Sequence, residues 1–152
     1  MTQPPNLYRK VRVLLVEDDL ADASLTSEVF KETRFPLELT RVSDGDEAMA
    51  FLRKQGEFAD AARPDVILLD LNMPRKDGHV TLEEIRRIPE LAQTPVLIFT
   101  CSKNEKDIRR AYEEKANFYL VKPSDLDHLF ETIRYVEDVW LSPFAFESAL
   151  GA

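Results

Sequence analysis

The chain of 152 residues has one cysteine, Cys101. A single cysteine excludes an internal disulfide and any metal site built from several thiolates. We therefore expect a reducing compartment, the cytoplasm. We also expect Cys101 to be a small, buried, apolar-like side chain rather than a redox sensor.

Long apolar runs are missing as well. No stretch approaches the roughly 18 consecutive apolar residues of a membrane helix. Residues 1–10 lack an apolar core after a basic start, so we predict a polar lead-in and not a signal peptide.

A positive charge balance is the third absence. The chain has 20 Lys and Arg residues against 28 Asp and Glu residues, a formal net charge of −8. Nucleic acids and anionic membranes are bound by basic surfaces. The composition therefore predicts partners that are neither nucleic acid nor membrane.

Five short apolar runs are present, and they predict β-strands. Four are almost continuously apolar, as in strands buried on both faces of a parallel sheet, while the second alternates as an edge strand does. The length and the 44% hydrophobic content indicate one domain with a continuous core. The predicted strands span residues 11–16, 37–42, 66–69, 96–99 and 118–121.

Segments with helical spacing of apolar residues follow each predicted strand. We expect Ser124 to cap the fifth helix, Pro89 to end the third, and Pro143 to end the last. Strict alternation of strand and helix predicts an open, doubly wound α/β sheet. The apolar positions are Ala21, Leu25 and Val29; Ala48, Phe51 and Leu52; Leu82, Ile85 and Ile88; Ile108, Ala111 and Tyr112; and Leu126, Leu129, Phe130, Ile133, Val136 and Trp140.

Polar residues follow four of the predicted strands, and ligands of such sheets bind at the strands' carboxyl ends. They are Glu17, Asp18, Asp70, Thr100 and Lys122. Each alone fits a local role, such as a helix cap or a solvent-exposed lysine. Together they indicate clustered carboxylates that need a cation, for which oxygen ligands favour Mg²⁺. Such a pocket supports phosphoryl transfer to Asp70.

The sequence resembles the response-regulator receiver family over about residues 11–139. The motifs are LLVEDD (14–19), DG (44–45), LLDLNMPRKDG (68–78), a strand-ending Thr100 and YLVKP (119–123). The resemblance implies a five-stranded parallel, flavodoxin-like (βα)5 fold with strand order 2-1-3-4-5 and a C-terminal extension. It also implies a signalling phosphoacceptor that assists its own phosphotransfer and dephosphorylation, and not an enzyme.

The resemblance assigns roles to single residues. It makes Asp70 the phosphoacceptor, Thr100 the switch hydroxyl, Tyr119 its aromatic partner and Lys122 the phosphate-facing lysine, with a cis bond before Pro123. The expected ligands of Mg²⁺ or Mn²⁺ are Glu17, Asp18, Asp70 and the backbone carbonyl of Asn72.

Two positions depart from the family pattern. Cys101 stands where a small alanine is common, and Phe118 stands where glycine is common. We expect the bulkier Phe118 to restrict Tyr119. Asp19 has no role in the family pattern beyond a possible helix cap.

We expect residues 1–10 to be a lead-in, 11–141 the receiver domain and 142–152 an apolar tail without an output domain. The tail and the end of the last helix carry more apolar surface than one core face needs, which predicts an interface. The alternative is a tail folded over its own core. The predicted interface residues are Phe118, Tyr135, Val139, Trp140, Phe144 and Phe146, and Leu150 adds to the apolar tail.

The tail and the run EAMAFLRKQGEF (47–58) resemble regulators that partner phytochrome-type histidine kinases. That resemblance implies a homodimer through the fourth helix, fifth strand, fifth helix and tail. A phosphorelay intermediate or a receiver for another kinase is the alternative. Less favoured are a haloacid-dehalogenase-type phosphatase, which needs an acid where Asn72 stands, and a phosphorylation-independent interaction module.

Overall fold

The computed structural model describes residues 9–146, which form five parallel strands surrounded by helices. The strand order β2-β1-β3-β4-β5 confirms the predicted doubly wound fold. Four strands have the predicted bounds, and the fourth extends by one residue to Thr100. The strands are β1 (Val11–Val16), β2 (Leu37–Val42), β3 (Val66–Leu69), β4 (Val96–Thr100) and β5 (Phe118–Val121).

Helices follow the strands on both faces of the sheet. They are α1 (Leu20–Phe30), α2 (Gly45–Leu52), α3 (Gly78–Arg86), α4 (Glu105–Glu113), α5 (Leu126–Val136) and a short α6 (Ser142–Ala145). Short 3₁₀ turns cover Gly56–Phe58 and Pro89–Leu91, and a π turn, Glu137–Leu141, joins α5 to α6.

Burial of the strands follows from the sheet order. All residues of β3 and β4 are buried because these strands have helices on both faces. β2 lies at one edge, as its alternating pattern predicts. β5 forms the other edge, and its four residues are half-buried despite their continuous apolarity.

The helix signals were partly wrong in detail. α1 buries Ala23, Thr26, Val29 and Phe30, so Ala21 and Leu25 lie on its exposed side. Spacings of three and four along the helix bring these four buried residues onto one face.

Further along, Leu126 and Tyr112 are exposed. α3 ends at Arg86, before Ile88 and Pro89, because Pro89 begins a 3₁₀ turn of its own.

Asp125, and not Ser124, caps α5. The Asp125 carboxylate accepts a hydrogen bond from the backbone N–H of His128 at 2.9 Å. A capping side chain reaches the amide two or three residues ahead, and the helix begins at Leu126. Asp19 caps α1 in the same manner, accepting from the N–H of Asp22 at 2.9 Å.

The end of the chain, as far as Phe146, folds over its own core. Leu141 and Ala145 are fully buried, and the N–H of Arg9 donates to the carbonyl of Ala145 at 3.0 Å. The ring of Phe146 lies edge-on to Phe35. The alternative of a folded-back tail is thus confirmed for this part, while Leu150 and residues 1–8 lie outside the described residues.

Pro143 does not end the helical path, contrary to expectation. It lies in the first turn of α6, where the missing N–H of proline leaves no hydrogen bond unmade. Within residues 9–146, no helix combines the length and apolarity needed to cross a membrane.

Candidate functional site

Three carboxylates meet at the carboxyl ends of β1 and β3. Glu17 and Asp18 follow β1, Asp70 follows β3, and these two strands are paired neighbours. One oxygen from each carboxylate lies within 4.8 Å of the others. Glu17 and Asp70 are buried, with 2% and 6% of their surface exposed, and Asp18 is more open. The sheet therefore brings together the residues that the sequence predicted as one acidic site.

Lys122 reaches this site from the edge strand β5. Its ammonium donates to Glu17, to Asp70 at 3.1 Å and to Asp22 at 3.0 Å. The Lys122 side chain is only 9% exposed, so these three carboxylates are its main compensation for lost water. Asp22 was not predicted as a site residue. It lies on the first turn of α1, where an acidic residue is common, so the sequence alone did not mark it.

The site carries excess negative charge. Burial, together with the charge of Asp70, raises the pKa of Glu17 to about 7 against the opposing effect of Lys122. Burial alone would lower the pKa of Lys122, but its hydrogen bonds to Glu17 and Asp22 and the charge of Asp70 raise it above its ordinary value. Four carboxylates thus face one ammonium, counting Asp18, and the imbalance favours a bound cation.

The backbone after β3 positions Asp70. The N–H of Asn72 donates to Asp70 Oδ1 at 3.2 Å, while Lys122 bonds the other oxygen. Gly78, the glycine of the predicted motif, packs against this turn. A Cβ at Gly78 would lie 2.3 Å from the carbonyl oxygen of Asp70 and 2.6 Å from Leu71 Cα, so only glycine fits.

Thr100 ends β4, between the strands that carry Asp70 and Lys122. It is fully buried, and its hydroxyl accepts a hydrogen bond from the side-chain amide of Asn72 at 3.4 Å. Its neighbour Cys101 is exposed, so the expected burial of this thiol is wrong. The reason is that the chain leaves the sheet at Thr100 and bends outward.

Tyr119 is held by the loop after β4. Its hydroxyl donates to the carbonyl of Ser102 at 2.9 Å, and burial raises its pKa. Tyr119 packs on one face of the sheet with the α3–α4 side core, and Phe118 packs on the other face. Successive strand residues point to opposite faces, so an effect of Phe118 on Tyr119 would act through the backbone of β5 and not through contact of the two side chains.

The peptide bond between Lys122 and Pro123 is trans, like every other peptide bond in the described part of the chain. The expected cis bond is therefore wrong for this structure. A trans bond is also the intrinsically preferred form of a prolyl amide, by about 0.5–1 kcal/mol.

A buried histidine, not singled out from the sequence, joins α3 to α4 beside the site. His79 Nδ1 lies 2.9 Å from Glu114, and Nε2 lies 3.2 Å from Asp107. Asp107 also accepts from the hydroxyl of Ser102 at 2.6 Å, and this bond with the His79 contact lowers its pKa. This cluster ties the loop that holds Tyr119 to two helices.

The predicted interface residues have different environments. Val139 is 47% exposed, while Phe118, Tyr135 and Trp140 form a half-buried aromatic group. Phe118 and Tyr135 also line a shallow groove of about 360 Å³. Phe144 is likewise half-buried, with Arg9 over its ring, and Phe146 is 38% exposed with its ring edge-on to Phe35.

Comparisons with known proteins agree with this geometry. A family model described as the response regulator receiver domain matches residues 13–134. Response regulator Rcp1 of Synechocystis sp. is 44% identical over 137 residues, which cover 90% of this chain and 93% of Rcp1.

Two solved structures are similar over most of their length. The phosphorylated cyanobacterial phytochrome response regulator RcpA has a TM-score of 0.85 at 44% identity, covering 89% of this chain and 96% of RcpA. The Mn²⁺-bound form of Rcp1 has a TM-score of 0.82 at 45% identity, covering 87% and 95%.

The oxygen-only donor set of Glu17, Asp18 and Asp70 suits a hard divalent cation such as Mg²⁺ or Mn²⁺. The burial of Glu17 and Asp70 beside further acids, with one ammonium shared among them, is an independent reason for a cation at this position. The predicted divalent metal cofactor is thus confirmed. The fold, the site and the match over residues 13–134 together show that the chain belongs to the response regulator receiver family.

Proposed function

We propose that the protein accepts a phosphoryl group from a histidine kinase on Asp70, with Glu17 and Asp18 holding the metal. The observation that carries this proposal is the position of Asp70. Its carboxylate lies within 4.8 Å of two other acids and 3.1 Å from an ammonium, at the end of a central strand.

The roles of the side chains follow from their positions. A carboxylate oxygen of Asp70 attacks phosphorus, and the P–N bond to the kinase histidine breaks as the P–O bond forms. Lys122 neutralises charge on the transferred group, and the Thr100 hydroxyl donates to one of its oxygens. A bound Mg²⁺ would supply further charge neutralisation, held by the three acids and the backbone carbonyl of Asn72. In this way the receiver would assist its own phosphorylation, and the same groups would assist its dephosphorylation, in which water attacks phosphorus and the bond to the Asp70 oxygen breaks.

The test compares Asp70→Asn with Asp60→Asn, an exposed loop acid. We expect acetyl phosphate or phosphoramidate to add one phosphoryl group to the wild type and to Asp60→Asn, and none to Asp70→Asn, as measured by intact mass. Labelling of Asp70→Asn at the wild-type level would refute the assignment. Steady multiple turnover of a small phosphate ester would instead support the phosphatase alternative.

We propose a phytochrome-type histidine kinase as the phosphoryl donor. The support is the 44% identity to a protein described as a cyanobacterial phytochrome response regulator, together with the run at 47–58. A phosphotransfer profile against the histidine kinases of the source organism tests it. Rapid transfer from a phytochrome kinase is expected, and rapid transfer only from a kinase of another class would contradict it.

A homodimer is the second part of this proposal. The support is the half-buried aromatic pair of Phe118 on β5 and Tyr135 on α5, together with exposed Val139 in the π turn that follows α5. We expect the dimer surface to centre on these three residues and to include Trp140, Phe144 and Phe146, of which Phe146 is 38% exposed. We expect α4, the fourth helix, to form the remaining part of the dimer surface.

Sedimentation velocity, with and without beryllofluoride as phosphoryl mimic, tests the dimer. Val139→Asp is expected to give a monomer, whereas Leu25→Asp, at an equally exposed leucine on α1, is expected to behave like the wild type. A Val139→Asp protein that dimerises like the wild type would exclude this surface.

We propose the cytoplasm as the site of action, because an exposed lone thiol such as Cys101 stays reduced there. We propose residues 11–141 as the receiver unit, between a lead-in at 1–10 and a tail at 142–152 whose first residues, α6, pack onto the receiver core. Because the formal net charge is −8, we expect the protein to bind neither nucleic acid nor an anionic membrane.

A further inference from the structure

Arg41 links the edge strand β2 to the acidic loop. It lies opposite Leu15 in the register of β1 and β2, and Leu15 is two residues before Glu17, where the loop after β1 begins. Its Nε donates to the backbone carbonyl of Glu17 at 2.9 Å, and its Nη2 donates to the carbonyl of Asp18 at 3.1 Å. One half-buried guanidinium therefore bonds two consecutive carbonyls of the residues that carry the metal-site carboxylates.

These two carbonyls lie at a gap between regular elements. The last ladder bond of β1 to β2 here runs from the N–H of Glu17 to the carbonyl of Val42 at 3.0 Å. The first bond of α1 is accepted by the carbonyl of Asp19, the N-cap. Neither the sheet nor the helix supplies a donor for the carbonyls in between, and Arg41 supplies both.

We infer that Arg41 is a positioning residue for the metal site. The rigid fork of the guanidinium fixes two neighbouring peptide groups at once, so the side chains of Glu17 and Asp18 leave the backbone in directions that converge on Asp70. A lysine has the same charge but no fork. This inference rests on the proposed metal-binding role of Glu17 and Asp18.

Two effects of Arg41 on a bound cation oppose each other. Its positive charge repels the cation, and its hydrogen bonds order the ligands. If charge dominates, a neutral residue at position 41 tightens metal binding. If ordering dominates, both a neutral residue and a lysine weaken it. Loss of residues that orient metal ligands commonly weakens metal affinity by about 10–100-fold.

The experiment measures Mg²⁺ and Mn²⁺ dissociation constants by isothermal titration calorimetry on the unphosphorylated full chain. The variants are Arg41→Gln and Arg41→Lys, and the control is Arg53→Gln, which removes an exposed charge at the end of α2. We expect about tenfold weaker binding for both Arg41 variants and less than twofold change for the control. Urea unfolding in chelator establishes that each variant is folded under the titration conditions.

A weakening below fivefold in either folded Arg41 variant overturns the inference, and so does equal weakening in Arg53→Gln. Tighter binding by Arg41→Gln would assign charge as the dominant effect. If Arg41→Gln does not fold, Arg41→Lys decides alone. A purely structural role for Arg41 would lower the free energy of unfolding and leave the dissociation constant of the folded protein unchanged. The same titration distinguishes failure of this inference from failure of the proposed metal site, because in the second case the wild type itself would bind no metal.

Discussion

Lys122 holds the metal-free site together, and replacing it with methionine tests this directly. The ammonium bonds three carboxylates, two of which, Glu17 and Asp70, are buried. Removing one partner of a buried ion pair costs about 3–5 kcal/mol, because the remaining charge is left uncompensated. We expect the lower end, about 3 kcal/mol, since Asp22 is half exposed and can turn to water.

Urea unfolding in chelator, followed by the fluorescence of Trp140, measures this loss. At pH 8 the wild type is above the Glu17 pKa of about 7, and because loss of the ammonium raises this pKa, protonation of Glu17 offsets part of the loss in the variant. A loss of about 3 kcal/mol corresponds to a fall in melting temperature of about 6–12 °C for a domain of this size. Lys103→Met, at an exposed lysine in the loop after β4, is the control and is expected to change stability by less than about 0.5 kcal/mol.

Saturating Mg²⁺ is expected to narrow the gap between Lys122→Met and the wild type by about 1–2 kcal/mol. In the variant the cation replaces the missing positive charge, and it no longer competes with an ammonium 3.1 Å from Asp70. The variant should therefore bind Mg²⁺ more tightly than the wild type, and each tenfold gain in affinity adds about 1.4 kcal/mol to the free energy of unfolding. A loss below 1 kcal/mol in chelator, or a gap that Mg²⁺ leaves unchanged, would refute the reasoning.

Three further changes test other parts of the structure by urea unfolding. Burial raises the pKa of Glu137, so the stabilising contribution of this group is fully present below pH 4.5 and is lost as the pH rises through the raised value. Relative to the wild type, Glu137→Gln should therefore be more stable at pH 8 than at pH 5, and a stability difference that does not change with pH would contradict this. His79→Ala should lose about 2–3 kcal/mol through its bond to Glu114, whose side chain is 9% exposed, and a loss below 1 kcal/mol would exclude the link between the two helices. Gly78→Ala should lose about 1–3 kcal/mol and weaken Mg²⁺ binding, because its Cβ meets the backbone of Asp70; wild-type affinity would argue against that clash.

The strands were predictable because each is a short apolar run between polar turns. Parallel strands buried on both faces need such runs, so local composition and final position agree at β3 and β4. The face that α1 buries was not predictable in the same way. Leu25 is more apolar than Thr26, yet Thr26 is buried, because the position of α1 against the sheet decides which side is covered.

The acidic site was predictable as well, for a reason that lies in the sheet. Glu17, Asp18, Asp70 and Lys122 follow strands directly, and the carboxyl ends of parallel strands lie along one edge of the sheet. Asp22 and Arg41 were missed because their sequence context is that of an ordinary helix and an ordinary edge strand. Only their distances to the site distinguish them.

The sequence by itself determined the α/β architecture, the carboxylate at Asp70 and the family, because these depend on the order and type of residues along the chain. The tertiary structure alone decided which charges balance one another, and that the chain as far as Phe146 folds onto its own core. Those outcomes depend on contacts between residues far apart in sequence, such as Asp70 and Lys122 with a sequence separation of 52, and local patterns do not encode such contacts.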